Sequence, residues 1–76
     1  MNNLVVGDKV RIKDINAYLI SYQKKLKDRI GIIDKIQVFE MSRYTSVYYW
    51  VTWQKRGNRG KEFRERHRLD DLEIVP

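Results

Sequence analysis

Half of the residues between positions 55 and 68 are basic, which gives this segment an unusually dense charge. Seven of its fourteen residues are lysine or arginine and two are glutamate, so it carries +5, compared with +6 for the whole chain. The basic residues are Lys55, Arg56, Arg59, Lys61, Arg64, Arg66 and Arg68. Such a patch raises the local potential and attracts anionic partners. The pattern favours phosphate binding, although a solvated hairpin that only keeps a small protein soluble would carry the same charge.

An alternating aromatic and β-branched run, from Val47 to Trp53, precedes the basic segment and is typical of a strand. Successive side chains of a strand point to opposite faces, so Tyr48 and Trp50 share one face and Tyr49 shares the other with Val51 and Trp53. A strand that leads into a cationic turn and a cationic return strand predicts a positively charged sheet surface carrying flat rings.

Short apolar and alternating segments predict five strands, over residues 9–13, 29–39, 47–55, 61–66 and 73–75. In the second strand the parity of the apolar residues shifts between Ile33 and Ile36, which predicts a β-bulge near Asp34 and Lys35. A glycine-bearing turn at 56–60 joins strands three and four. One tight turn at 69–72, capped by Asp70, precedes the last strand.

The segment from Asp14 to Lys27 is the longest connection between the predicted strands. Its apolar residues Ile15, Leu19, Tyr22 and Leu26 are spaced by four, three and four, which is helical spacing. We expect one or two helical turns within a long loop, with Asp14 as the cap of the first.

The length of 76 residues allows one domain, spanning 1–76, and the absence of cysteine excludes disulfides and cysteine-ligated zinc. The chain opens without the basic and apolar regions of a signal peptide, and it has no apolar run near the roughly 20 residues that a membrane helix needs. We therefore expect a soluble, cytoplasmic protein. Five short strands with one long loop indicate an all-β fold, a small barrel without sheet edges.

Three stretches of the sequence, residues 6–12, 27–34 and 67–75, resemble SH3-like barrels, which include KOW-type nucleic-acid-binding domains and the PsaE subunit of photosystem I. The resemblance implies a five-stranded barrel with a long first loop and a short 3-10 turn before the last strand. It places Val51 and Trp53 inside and leaves Tyr48 and Trp50 outside. It also implies a binding function, because KOW relatives contact RNA and PsaE is a docking subunit. The charged strand at 61–66 replaces a neutral stretch of PsaE.

An outward Trp50 has three possible explanations. It could stack on a nucleic-acid base, which contributes about 1–3 kcal/mol per base. It could anchor a protein interface, or the loop at 14–27 could fold over it and Tyr48. On the neighbouring strand, Glu62 and Glu65 can neutralise only part of the basic charge.

A catalytic or metal site is not indicated. The single histidine, His67, occupies a position at which similar barrels hold a partly buried aromatic residue, and one histidine does not make a metal site. No hydroxyl residue lies in the sequence pattern of an activated nucleophile, and the four glycines are too scattered for a phosphate-binding loop. We expect no enzymatic activity and no cofactor.

The preferred hypothesis is a small basic barrel that binds DNA or RNA, mainly through phosphates and with weak sequence preference. The seven basic residues would hold phosphates, while Tyr48 and Trp50 would stack on bases or sugars. The alternative is a protein–protein interaction module, such as an adaptor, an assembly subunit or a phage-encoded inhibitor of a host complex. The sequence leaves the oligomeric state and the choice between DNA and RNA open.

Overall fold

The structure is a computed structural model that describes residues 4–55 and 60–76. Its strands are β1 (Lys9–Ile12), β2 (Gly31–Glu40), β3 (Thr45–Trp53), β4 (Phe63–His67) and β5 (Leu72–Ile74). Between β1 and β2 lie a 3-10 turn (Ile15–Ala17) and the helix α1 (Ile20–Leu26), and a second 3-10 turn (Leu69–Asp71) leads into β5. The predicted order of the five strands and of the turn before the last one is confirmed. No helix within the described ranges is long and apolar enough to cross a membrane.

The five strands form one antiparallel sheet in the order β4-β3-β2-β1-β5. No ladder between described residues joins β4 to β5, so the observed sheet is open and these two strands are its edges. β3 begins two residues earlier than predicted and ends at Trp53, and β4 begins at Phe63 instead of position 61. The predicted turn at 56–60 lies, except for Gly60, outside the described residues.

The predicted bulge in β2 is confirmed. Ile33 pairs with Val51 and Lys35 pairs with Trp50, so Asp34 is the extra residue of β2. A bulge of this kind bends its strand and increases the local twist. It also returns the apolar residues after it to the core side of the sheet, which explains the parity shift in the sequence.

The core lies on one face of the sheet, which we call the inner face. Val10, Ile33, Val51 and Trp53 are at most 1% exposed, which agrees with the inward orientation predicted for the last two. Gly31 lies against them, where a Cβ atom would overlap Val51 Cγ1 and stand 2.8 Å from Trp53 Cε3. The position accepts only glycine without displacing core side chains.

The segment between β1 and β2 covers the inner face. It forms the predicted helical turns, and Leu26 of α1 is buried, but Leu19 is 80% exposed. Asp14 precedes the first 3-10 turn without making a capping hydrogen bond, so the predicted cap is wrong. Tyr22 Oη donates to Glu65, whose cross-strand partner is the buried Val51. The loop therefore lies on the side of the sheet opposite Tyr48 and Trp50, and does not bury them.

The turn before β5 is capped by a different acid from the one predicted. The Asp71 carboxylate accepts a hydrogen bond from the backbone N–H of Arg68 at 3.4 Å and another from Tyr18 Oη at 2.8 Å. No hydrogen bond of this kind involves Asp70 within the described residues. Asp71 stands at the third position of the turn, where a carboxylate can reach back to the N-terminal N–H groups.

Candidate nucleic-acid interface

We call the face of the sheet opposite the core the outer face. The strand register determines which residues lie next to each other on it. Directly paired residues of antiparallel strands project to the same side of the sheet. Trp50 pairs with Lys35 on β2 and with Arg66 on β4, and Tyr48 pairs with Gln37. These rows bring the aromatic side chains of β3 beside the arginines of β4, as the sequence predicts.

Three arginines lie over three rings on this face, and we call this set the arginine–aromatic face. Its members are Phe39, Tyr48, Trp50, Arg64, Arg66 and Arg68. The Arg64 guanidinium carbon is 4.4 Å from the centre of the Trp50 ring. That of Arg66 is 4.2 Å from Tyr48, and that of Arg68 is 5.5 Å from the same ring. Guanidinium groups at such distances are held by cation–π attraction.

Arg64 is also bound to a carboxylate. Its Nη2 donates to Asp34 Oδ1 at 2.6 Å and its Nε donates to both carboxylate oxygens at 3.0 Å. Thr52 Oγ1 donates to Asp34 Oδ2 at 2.6 Å and holds the carboxylate in place. The hydrogen bonds from Arg64 hold the pKa of Asp34 below its usual range. The charge of Arg64 is therefore compensated by the bulge residue of β2.

Arg66 and Arg68 have no such partner. Both are exposed, and neither forms an ion pair with any carboxylate of the described residues. Arg66 also lies 5.9 Å from the centre of the Trp50 ring and 6.0 Å from that of Phe39. These two guanidinium groups are fixed in position by rings while their charge and donors remain available to an anion.

The rings themselves are only partly exposed. Tyr48 and Trp50 are half-buried, and Trp50 Nε1 donates to Gln37 Oε1 at 3.0 Å. Phe39 meets Tyr48 edge-to-face with ring centres 5.8 Å apart. Because guanidinium groups lie over the rings of Tyr48 and Trp50, an incoming base would have to stack on an arginine or displace it. In this arrangement the main effect of the rings is to orient arginines.

Lys55 and Lys61, which were also predicted as site residues, are not part of this face. Lys55 follows β3 and Lys61 precedes β4; both are exposed and neither contacts a ring among the described residues. Arg56 and Arg59 lie outside the described residues. Of the nine predicted positions, the structure brings together Tyr48, Trp50, Arg64, Arg66 and Arg68.

Four residues of β2 belong to the same surface and were not predicted as site residues: Asp34, Lys35, Gln37 and Phe39. The sequence does indicate that these residues face outward. The shift in the parity of the apolar residues of β2 identifies the bulge, and the bulge determines which residues of β2 lie on the outer face. What the sequence does not contain is the register between β2 and β3. That register makes Asp34 the acid that neutralises an arginine, instead of Glu62 or Glu65.

Glu65 belongs to a polar cluster on the inner face. Its carboxylate accepts hydrogen bonds from Tyr22 Oη and, at 2.9 Å, from Lys25 Nζ. Burial alone would raise the pKa of Glu65, but these hydrogen bonds outweigh it and hold the pKa below its usual value. Lys25 is thus committed to the inner face and cannot extend the arginine–aromatic face.

His67 lies in the same cluster and is buried more completely than predicted, with 5% of its surface exposed. Its Nε2 accepts a hydrogen bond from Trp53 Nε1 at 3.1 Å and lies 3.3 Å from Glu65 Oε1. An imidazole that accepts at Nε2 is neutral there, and burial lowers the pKa of His67. Within the described ranges, no group of three or more histidine or acidic residues has the arrangement of a metal site.

Comparisons of the chain with models of known protein families, with curated proteins and with solved structures find no match.

Proposed function

We propose that this protein binds DNA or RNA through the arginine–aromatic face, with phosphates on Arg66 and Arg68. The observation that carries the proposal is the pair of exposed guanidinium groups that stack on Tyr48 without a carboxylate partner among the described residues. Arginine presents a planar fork of donors that matches a phosphate, and stacking on a ring reduces the entropy lost when it binds.

The mode of binding follows from the chemistry of this face. Contacts to phosphates fix a nucleic acid on a protein without reading its bases. The guanidinium groups of Arg66 and Arg68 lie against the Tyr48 ring, and their exposed N–H donors can bind phosphate oxygens. Affinity should therefore depend strongly on salt and weakly on sequence.

We also propose that the protein is an SH3-like barrel and that it acts in the cytoplasm, where it can encounter nucleic acid. It is supported by the strand order β4-β3-β2-β1-β5, by the 3-10 turn before β5 and by the bend that the Asp34 bulge introduces into β2. Of the three, the bulge is the feature that curves a sheet around its core.

The test is fluorescence anisotropy with labelled single- and double-stranded oligonucleotides at salt concentrations from about 50 mM to about 200 mM. We expect binding that weakens as salt increases. The variant Arg66→Ala plus Arg68→Ala should lose at least about tenfold in affinity, since two phosphate contacts are removed. Its control, Lys13→Ala plus Lys27→Ala, removes the same charge from exposed positions elsewhere and should lose much less.

Two results would count against the proposal. One is the absence of binding by the unaltered protein at low salt. The other is an equal loss for both double variants, which would mean that overall charge, and not this face, determines the affinity.

A protein partner is the second candidate, and one feature favours it. The far end of the β2–β3 hairpin exposes Val38, Met41 and Tyr44, each more than half accessible. Exposed apolar side chains near a turn are common anchors of protein interfaces. If a protein is the partner, affinity purification of the tagged protein should still recover it in stoichiometric amount after nuclease treatment. The variant Val38→Ser plus Tyr44→Ser should lose this partner, whereas Arg66→Ala plus Arg68→Ala should retain it.

A further inference from the structure

We infer that a groove between β1 and the start of β2 receives one nucleotide unit of the bound strand, a base together with its phosphate; this rests on the proposed function. The groove has a volume of about 570 Å³. It is lined by Lys9, Asp28, Arg29, Ile30, Ile32, Gln54 and Lys55. Binding cavities for small ligands typically have volumes of about 300–1,000 Å³, a range that includes a single nucleotide.

The groove continues the arginine–aromatic face across the sheet. Lys9 pairs with Ile32, Ile32 with Thr52, and Thr52 with Arg64, so one row of side chains crosses four strands on the outer face. Neighbouring strands are about 4.7–4.9 Å apart, which puts the two ends of the row roughly 15 Å from each other. A nucleic-acid strand that lies across the β-strands would pass from the arginines into the groove.

The floor of the groove is apolar. Ile30, the residue before β2, is 41% exposed, and Ile32 on the same face is half-buried. Apolar side chains can pack against the face of a base. The backbone at this point is fixed, because Gln54 N–H donates to the Ile30 carbonyl at 2.9 Å.

The rim of the groove supplies charge and polar atoms. Lys9 and Lys55 are exposed and form no ion pair within the described residues, so both can contact a phosphate. Arg29 Nη1 donates to the carbonyls of Gln54 and Lys61, which holds this guanidinium at the rim. Asp28, at the positive φ of 60°, is the one acid of the rim and can accept from the amino group of a base.

The inference is tested with the variant Lys9→Ala plus Lys55→Ala and with deoxyadenosine oligonucleotides of two lengths, about 2 and about 12 nucleotides. The short one is too short to span the roughly 15 Å between the arginine–aromatic face and the groove, whereas the long one reaches both. We expect the variant to lose about tenfold in affinity for the long oligonucleotide and to bind the short one normally. Lys13→Ala plus Lys27→Ala serves as the charge-matched control.

A second measurement does not depend on the arginines. Adenosine monophosphate is titrated into the isotope-labelled protein, and backbone amide shifts are followed by NMR. Shifts that concentrate at Ile30, Ile32 and Gln54, and that weaken in Lys9→Ala plus Lys55→Ala, support the groove. The variant Ile32→Ser should weaken them as well, since it makes the floor polar.

The outcomes separate this inference from the proposed function. If the arginine variants lose binding but the lysine variant behaves like its control at both lengths and adenosine monophosphate shifts no groove amide, the inference is wrong and the proposed function stands. If the groove amides respond but the arginine variants bind normally, the proposed face is wrong and the groove stands. If neither oligonucleotides nor the nucleotide bind, both are wrong.

Discussion

The Arg66 guanidinium lies 4.2 Å from the centre of the Tyr48 ring and pairs with no carboxylate of the described residues. Two positions earlier on the same strand, Arg64 stacks on Trp50 but also donates hydrogen bonds to the Asp34 carboxylate. The two arginines thus have similar surroundings and differ in one respect, which is whether an acid compensates their charge. That difference makes the role of the face measurable.

Single alanine substitutions at these two arginines should have unequal effects. Arg66→Ala removes an uncompensated charge, so it should weaken nucleic-acid binding about three- to tenfold and reduce the salt slope by about 0.7–0.9. Arg64→Ala should weaken binding less, because the Arg64 donors are already bound to Asp34 and make no phosphate contact that the substitution could remove. The Asp34 carboxylate that it leaves uncompensated repels phosphate, so some loss should remain. Anisotropy titrations across a salt series measure both. A larger loss of affinity for Arg64→Ala than for Arg66→Ala would show that Arg64, and not Arg66, contacts the ligand.

The substitution Asp34→Asn should strengthen nucleic-acid binding. It removes the carboxylate that occupies Arg64, so one more guanidinium becomes available and the salt slope should increase by about 0.7–0.9. The ion pair is exposed to solvent, so its loss should lower the free energy of unfolding only slightly. Oligonucleotide titrations and urea unfolding test the two effects. Glu62→Gln, which changes the net charge equally at an exposed position beside β4, is the control.

Substitution of Tyr48 by leucine tests whether the ring orients arginines or stacks on bases. If it orients them, Tyr48→Leu should weaken binding of a normal oligonucleotide and of one with abasic sites by the same factor. If a base stacks on the ring, only the normal oligonucleotide should lose affinity, by the equivalent of about 1–3 kcal/mol. We expect the first result, since Arg66 and Arg68 cover this ring. Tyr44→Leu, at an exposed tyrosine over whose ring no guanidinium of the described residues lies, is the matched control.

Much of the fold follows from local patterns. Period-two alternation identifies the strands, and the parity shift between Ile33 and Ile36 identifies the bulge, because a core face must remain apolar on both sides of an inserted residue. The helical spacing at Ile15, Leu19 and Tyr22 predicts helical turns. It does not predict that Leu19 remains exposed, since which turns of a short helix reach the core depends on where the chain enters and leaves it.

The site is less predictable, because it depends on pairs of residues that are far apart in sequence. Arg64 and Asp34 are 30 positions apart, and only the β2–β3–β4 register brings them together. Outward orientation of Trp50 follows from alternation, whereas its coverage by Arg64 requires the neighbouring strand. Similarly, local patterns do not predict which side of the sheet α1 covers. That depends on long-range contacts such as the hydrogen bond from Tyr22 to Glu65.

Acidification should destabilise the protein through His67. Burial lowers the folded-state pKa of this histidine, while the Glu65 and Asp71 carboxylates partly oppose the shift and Lys25 adds to it. Between the lowered folded value and about 6.5, the unfolded state binds the proton more strongly, so the free energy of unfolding falls as the pH falls. Protonation at Nε2 would also end its acceptance from Trp53.

Urea unfolding of the wild type and of His67→Gln, measured between about pH 7 and about pH 5, tests this prediction, since carboxylates with lowered pKa values titrate at lower pH. The amide oxygen of glutamine can accept from Trp53 without titrating. The variant should therefore show a flatter pH dependence over this interval. An unchanged slope would mean that another group is responsible.

The contact between Gly31 and Val51 predicts a specific coupling in the core. Gly31→Ala would push a Cβ atom into Val51 Cγ1 and against the Trp53 ring, and overpacking of this kind costs about 1–3 kcal/mol. In the double variant with Val51→Ala, the valine methyl group is gone, so the added methyl group finds space and the combined loss should be smaller than the sum by about 1 kcal/mol. The remaining contact with Trp53 keeps the relief partial.

The control cycle combines Gly31→Ala with Val38→Ala, an exposed valine at the far end of the β2–β3 hairpin, and the two free-energy changes should be additive. Urea unfolding followed by tryptophan fluorescence gives all the free energies of unfolding, and additivity in the Val51 cycle would show that the two residues do not compete for the same space.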